Sequence, residues 1–218
     1  MMDHPAAHAT TAPTIAQVRR ALSRPLPGLP AQLRLAPAYR AAELRERTPP
    51  PHPKQAGVLI LLYPCGSQLC LPVTRRTDIV ESHKGQVSLP GGAREGSETL
   101  EATAVRETCE ELGVCPDRWD ILGPLTPLYI PPSGFLIHPF VAYNPVRPAF
   151  QPDPVEVAEL IEIPLTLLLD PDTILREDWL LRGTTVQVPF FYTYGHKVWG
   201  ATAMVLSEFV ALLNESRS

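Results

Sequence analysis

Stretches of helical spacing alternate along this chain with short solid apolar runs, and each pattern predicts a different element. Ile15, Val18 and Leu22 fall at i, i+3 and i+7, with Arg19 and Arg20 on the wet side, which predicts a helix from Thr14. Pro25, Pro27 and Pro30 end it, because proline removes a backbone donor and crowds the turn before it. A second helix is predicted from about Glu98 to Leu112, with Gly113 as the residue that closes it in the left-handed conformation. Met204, Val205, Leu206, Phe209, Leu212 and Leu213 make Ala201 to Leu213 the final helix, and Pro164 to Leu169 reads as a short helical turn.

The apolar runs predict strands. Val58 to Leu62 and Leu69 to Thr74 should pair as a hairpin across Pro64-Cys65-Gly66-Ser67, with further strands near Ile121–Leu125 and Leu136–Tyr143. Strands mixed with helices, in no strict βαβ order, predict a mixed sheet with helices on both faces. The Pro-rich segment from Arg45 to Lys54 reads as a linker. Residues 1–50 are therefore expected to form an N-terminal arm with a short helix, and residues 51–218 the main domain. The first residues, MMDHPAAHATTAP, lack a basic region followed by an apolar one and read as a frayed arm rather than a secretory signal.

Composition narrows the classes. A chain of 218 residues can bury one good-sized core. Its longest solid apolar run is about eight residues, and prolines break the uncharged stretch Ile121 to Val146, so neither is a membrane-spanning helix. A net charge of −4 argues against binding nucleic acid through bulk charge. Cys65, Cys70, Cys109 and Cys115 match no zinc spacing and read as reduced thiols of a cytoplasmic protein.

The chemistry concentrates in Gly91 to Val114, GGAREGSETLEATAVRETCEELGV. With Leu100 at 0°, Glu107 falls at about 340°, Glu111 at about 20° and Glu110 at about 280°, so three carboxylates share one face. Val105, Thr108, Cys109 and Leu112 make the opposing core face, between about 80° and 180°. Glutamates alone could be a solvated face. The glycines just upstream point further, because a Gly-rich loop lets backbone groups approach a metal or a phosphate. Hard oxygen ligands in this number suit Mg²⁺ or Mn²⁺.

The run resembles the box of the Nudix hydrolases, G-x5-E-x7-R-E-U-x-E-E-x-G-U with U a bulky apolar residue. Gly92, Glu98, Arg106, Glu107, Glu110, Glu111, Gly113 and Val114 fit, and Thr108 departs. The resemblance implies an α/β/α sandwich around a mixed β-sheet and a nucleoside diphosphate derivative as substrate. It also implies Glu107 and Glu111 as main metal ligands, Glu110 and the Gly91–Gly92 backbone sharing the cluster, and Arg106 as the residue that orients a box carboxylate, with Glu98 its ion-pair partner.

Upstream, VTRRTDIVESHKGQVSLPGG, Val73 to Gly92, resembles the signature of the coenzyme A pyrophosphatase branch. Thr74, Arg76, Gly85 and Pro90-Gly91-Gly92 match, whereas Pro72, Val73, Thr77, Glu81 and Leu89 depart. Glu81 matters most, since it removes a positive charge that His83 and Lys84 could replace. Arg75, Arg76, His83, Lys84 and Arg94 concentrate cations in an acidic chain, and guanidiniums grip phosphates bidentately. Arg75, Arg76, His83, Gly91 and Gly92 are thus the candidate substrate contacts. Arg75 and Arg76 could equally be strand-end surface charges, and His83 a structural loop residue. Pro131–Tyr143, Pro154–Leu169 and His196–Leu206 resemble the same branch. Of the acids in Pro154–Leu169, Glu156 is favoured over Glu159 as a carboxylate supplied from outside the box, as metal ligand or general base. Trp199 reads as core packing rather than an adenine-stacking face.

The expected activity is metal-dependent cleavage of coenzyme A or its thioesters to 3′,5′-ADP and 4′-phosphopantetheine. The rivals are a hydrolase of ADP-ribose, NADH or dinucleoside polyphosphates, and a regulatory domain that binds a nucleotide without cleaving it. Monomer against homodimer stays open.

Overall fold

The computed structural model describes residues 12–46, 48–77, 85–115, 119–181 and 183–216. Helices α1 (Ile15–Leu22), α2 (Leu29–Gln32) and α3 (Ala38–Glu46) precede strands β1 (Lys54–Cys65), β2 (Gln68–Arg76), β3 (Val87–Ser88) and β4 (Gly91–Ala93). Helix α4 (Leu100–Leu112) follows, then β5 (Asp120–Pro124), β6 (Leu128–Ile130), β7 (Phe135–Tyr143) and β8 (Val157–Pro164). The chain ends in α5 (Leu165–Leu169), β9 (Ile174–Leu181), β10 (Thr184–Thr193), β11 (His196–Val198) and α6 (Gly200–Glu215).

The large sheet runs β3-β2-β1-β7-β5, with β4 also on β1, β6 on β7 and β8 on β2. β1 and β7 pair in parallel and the other pairs are antiparallel, so the sheet is mixed, as the pattern predicts. β1 is apolar on both faces because both are covered. Leu59, Leu61 and Tyr63 pack with Ala104 on the α4 side, while Ile60 and Leu62 join the core around α6. This alternation follows from the period of two along a strand.

At Gly57 a Cβ would overlap the Leu100 carbonyl and the Ala104 amide. Glycine there lets α4 lie directly on β1. The face the helix buries differs from the one expected from its spacing. The buried residues of α4 are Thr103, Ala104, Thr108, Glu111 and Leu112, so Glu111 belongs to the packed face and Val105 and Cys109 to its margin. Thr108, the departure from the box, is fully buried and donates its hydroxyl to the Ala104 carbonyl at 2.7 Å.

Three expectations need correction. The described part of the N-terminal region is no arm. Val18, Ala21, Leu35 and Leu44 are buried in the same core as Met204, Phe209 and Leu212 of α6. Ten of the sixteen residues of α6 are buried, and a helix apolar all round needs cover on every side, which α1 and α2 supply. Secondly, a three-stranded antiparallel sheet, β9-β10-β11, stands where no strand was expected. Most of β9 is exposed, so its sequence carries no apolar alternation.

The cysteines are the third correction. Cys65 is joined to Cys70 across the β1–β2 hairpin, and Cys109 to Cys115 around the end of α4. The hairpin register sets Cys70 opposite Tyr63, two residues from Cys65. Gly113, at φ 63°, turns the chain back past Cys109. Neither spacing is that of a metal site, and local turns bring these pairs together. The thiol argument for a cytoplasmic location falls with it. Among the described residues no helix is long and apolar enough to cross a membrane.

Candidate active site

The site forms where α4 meets the glycines of β4. Thr99 caps α4 by accepting from the Ala102 amide at 3.1 Å, which fixes where the helix starts and therefore which way its acids point. Gly91, at φ 150°, lies so close to β1 that a Cβ would overlap the Gly57 carbonyl and Val58. A Cβ on Gly92 would occupy the place of the Glu107 carboxylate. Both glycines are therefore steric requirements of the site.

Arg106 gathers the acids. Its Nη2 lies 3.0 Å from Glu98 Oε1 and 3.0 Å from Glu107 Oε1, and its Nη1 donates to Glu110 Oε2 at 2.8 Å. Nη2 also donates to the Ala93 carbonyl at 3.1 Å, tying helix to loop. The guanidinium holds the Glu98 carboxyl down at about 2, and the Glu95 amide contributes. Glu107 is pushed up by burial, opposed by Arg106.

Glu111 differs from its neighbours. Only 4% exposed, it is pushed up to about 8 by burial, with Glu156 and Glu107 adding repulsion against the attraction of Arg76. Its Oε2 is buried with no hydrogen-bond partner, as is Arg76 Nε. Glu156 Oε2 stands 3.8 Å from Arg76 Nη2. The structure thus brings together Glu107, Glu111, Glu156, Arg76 and the Gly91–Gly92 turn, with Arg106, Glu98 and Glu110 beside them.

Arg75 does not join this group. It pairs with Glu159 at 3.0 Å, and His196 Nε2 lies 3.2 Å from the same carboxylate. His83, with Glu81 and Lys84, lies outside the described residues. Trp199 is half-buried and packs edge-on against Trp179 with ring centres 4.9 Å apart, while also lining a cavity beside Gly91 and Arg76.

Among the described residues no three His, Cys, Asp or Glu side chains converge closely enough to hold a metal as they stand. The donor chemistry nevertheless fits a hard divalent cation. Glu111 presents a buried, unpartnered carboxylate oxygen within electrostatic reach of Glu107 and Glu156, and a buried carboxylate is costly unless a cation or donors meet it.

Fold and site together define an α/β protein whose carboxylate-rich helix is seated on a glycine turn at the edge of a mixed sheet. The family model described as NUDIX domain matches residues 53–181. The chain is 33% identical over 167 residues to the protein named uncharacterized Nudix hydrolase NudL of Photorhabdus laumondii, covering 73% of this chain and 88% of that one. The Pectobacterium atrosepticum protein of the same name is 31% identical over 185 residues, covering 84% and 91%. Among solved structures, the MutT protein of Methanosarcina mazei Go1 aligns with 16% identity and a TM-score of 0.49, over 76% of this chain and 95% of that one. The chain belongs to the Nudix hydrolase family.

Proposed function

We propose that this protein cleaves the diphosphate of coenzyme A or its thioesters, releasing 3′,5′-ADP and 4′-phosphopantetheine or its acyl form. The observation that carries the reading is the stretch Val73 to Gly92, which resembles the coenzyme A branch and whose Arg76 stands beside Glu111, Glu156 and the Gly91 turn. Glu107, Glu111, Glu110 and the Gly92 carbonyl would hold the cation, and Mg²⁺ or Mn²⁺, when bound, supplies positive charge against the diphosphate and a more acidic water.

The chain's own residues do the rest. Arg76 grips a phosphate of the substrate and neutralises part of its charge. Arg106 fixes Glu107 and Glu110 through its ion pairs, so the ligands are oriented before substrate arrives. Glu156 accepts the proton of the attacking water as its oxygen bonds to phosphorus and the bridging P–O bond breaks toward the leaving phosphate.

The test is product analysis after incubating the full-length chain with Mg²⁺ and an equimolar mixture of coenzyme A, ADP-ribose, NADH and diadenosine polyphosphates. Dominant 3′,5′-ADP and phosphopantetheine are expected. Dominant AMP from another dinucleotide would overturn the coenzyme A assignment, and binding without any product would overturn the enzyme.

A further inference from the structure

On the α6 side of the large sheet, beside Gly91, lies a cavity of about 480 Å³, within the range of sites for small organic ligands. Its walls come from β1 (Val58), from the link between β3 and β4 (Leu89), from Trp199 and the start of α6, and from α3 (Tyr39, Arg40). Most of the surface is apolar. Yet two guanidiniums, Arg40 and Arg76, line it, and among the described residues no carboxylate does. In a chain with 23 Asp and Glu against 19 Lys and Arg, that is a local inversion of charge.

Arg76 stands beside Glu111 and Glu156, so its side of the cavity adjoins the diphosphate. Arg40 has one acid beside it, Glu43, which does not line the cavity. The Arg40 side chain is only 12% exposed. Its Nη1 donates to Glu43 Oε2 at 2.5 Å, and its guanidinium carbon lies 5.4 Å from the centre of the Tyr39 ring. A guanidinium carries five donors in a fixed fork, so the single bond to Glu43 does not exhaust it. The first-turn residues of α6, Gly200 to Thr202, border the same space, and Trp199 makes no side-chain cap there. The base of a nucleoside would lie against the apolar walls.

We propose that this cavity is a second anion subsite, in which Arg40 binds a phosphomonoester on the nucleoside half of the substrate; the proposal rests on reading the protein as a diphosphatase of nucleoside diphosphate derivatives. Arg40 lies on α3, ahead of the first residue matched by the family model, residue 53. A determinant of specificity therefore sits outside the matched domain, on a helix whose Ala41 and Leu44 join the core.

The test is isothermal titration of the full-length chain, without divalent metal, using adenosine 3′,5′-bisphosphate and AMP. The bisphosphate should bind roughly tenfold tighter than AMP. Arg40→Gln should erase that difference while moving AMP affinity less than about twofold, and Arg40→Lys, which keeps the charge without the fork, should retain part of it. Arg45→Gln, the same charge change at an exposed position of α3, should alter neither ligand. Equal affinities in the native chain, equal losses of both ligands in Arg40→Gln and Arg40→Lys, or an Arg45→Gln variant that behaves like Arg40→Gln would each overturn the subsite. Neither ligand holds a diphosphate, so the result is separate from turnover. Failure to cleave coenzyme A would remove the functional proposal and leave the affinity difference standing, whereas loss of that difference with cleavage intact would remove the subsite alone.

Discussion

Glu111 and Glu208 are both glutamates on helices that pack against the large sheet, and solvent reaches 4% of one and none of the other. Their surroundings are opposite. Glu208 accepts from the Gly28 amide at 3.1 Å, from Gln32 Nε2 at 2.9 Å, from the Thr126 amide at 3.3 Å and from the Thr126 hydroxyl at 2.6 Å. Those donors come from the N-terminal segment and from the link between β5 and β6, so one carboxylate locks three parts of the fold. Glu111 has an oxygen with no partner, two acids nearby and one arginine. A buried carboxylate ringed by donors is structure. One left short of them stores unfavourable energy that a cation can relieve, and that is the signature of a working site.

The largest expected effect separates them by activity. Glu111→Gln should lower Mg²⁺-dependent turnover on the order of 10³-fold, about 4 kcal/mol at the barrier, while circular dichroism stays unchanged. Full activity in that variant would end the metal-ligand assignment. Glu208→Ala should do the reverse. It leaves the Gly28 and Thr126 amides and Gln32 without their acceptor, so urea unfolding should report a loss of about 3 kcal/mol, with kcat of the folded enzyme within about threefold of the native value. A neutral Glu208→Ala would mean that the lock contributes nothing.

The two residues also mark how far the sequence could be read. The acids of α4 were legible because their spacing to Gly92 is rigid. The burial of Glu111 was not, because a helical wheel assigns faces by residue type, whereas Gly57 decides how closely α4 approaches β1. Along the chain Glu208 is one polar position in an apolar helix, and its donors lie 82 to 180 residues away in sequence. The same distance hid the role of residues 15–46. Their first helix was predicted from its own spacing, but its partner, α6, closes the chain. β9 was invisible for a simpler reason: Arg176, Glu177 and Asp178 are exposed and leave no pattern to find.

The contrast sharpens with pH. Glu111 ionises at about 8 in the folded chain and at about 4.3 when unfolded. Between these values the folded state holds the extra proton, so stability falls as pH rises through the window. In metal-free protein with chelator present, unfolding free energy should be about 3 kcal/mol greater near pH 5.5 than near pH 8.5. Glu111→Gln should abolish that difference and be the more stable chain at high pH. A native chain with no such slope would mean that Glu111 is better solvated than its burial implies.

The smallest effect lies on the acid side, at Glu98, and its sign is opposite. Arg106 and the Glu95 amide hold the Glu98 carboxyl at about 2, below its unfolded value of about 4.3. Here the unfolded state takes up the proton first, so the contribution is complete above about pH 4.3 and is lost as pH falls toward 2. Glu98→Gln should therefore shift the acid-unfolding midpoint upward slightly and flatten the limb below pH 4, measured by tryptophan fluorescence. Because Glu98 touches Arg106 rather than the reacting groups, its loss should also loosen the hold on Glu107 and reduce kcat by about tenfold with KM little changed. An acid limb that moves without any fall in kcat would leave the Glu98–Arg106 pair a purely structural one, and would shift the task of fixing Glu107 to the Ala93 carbonyl and Gly92.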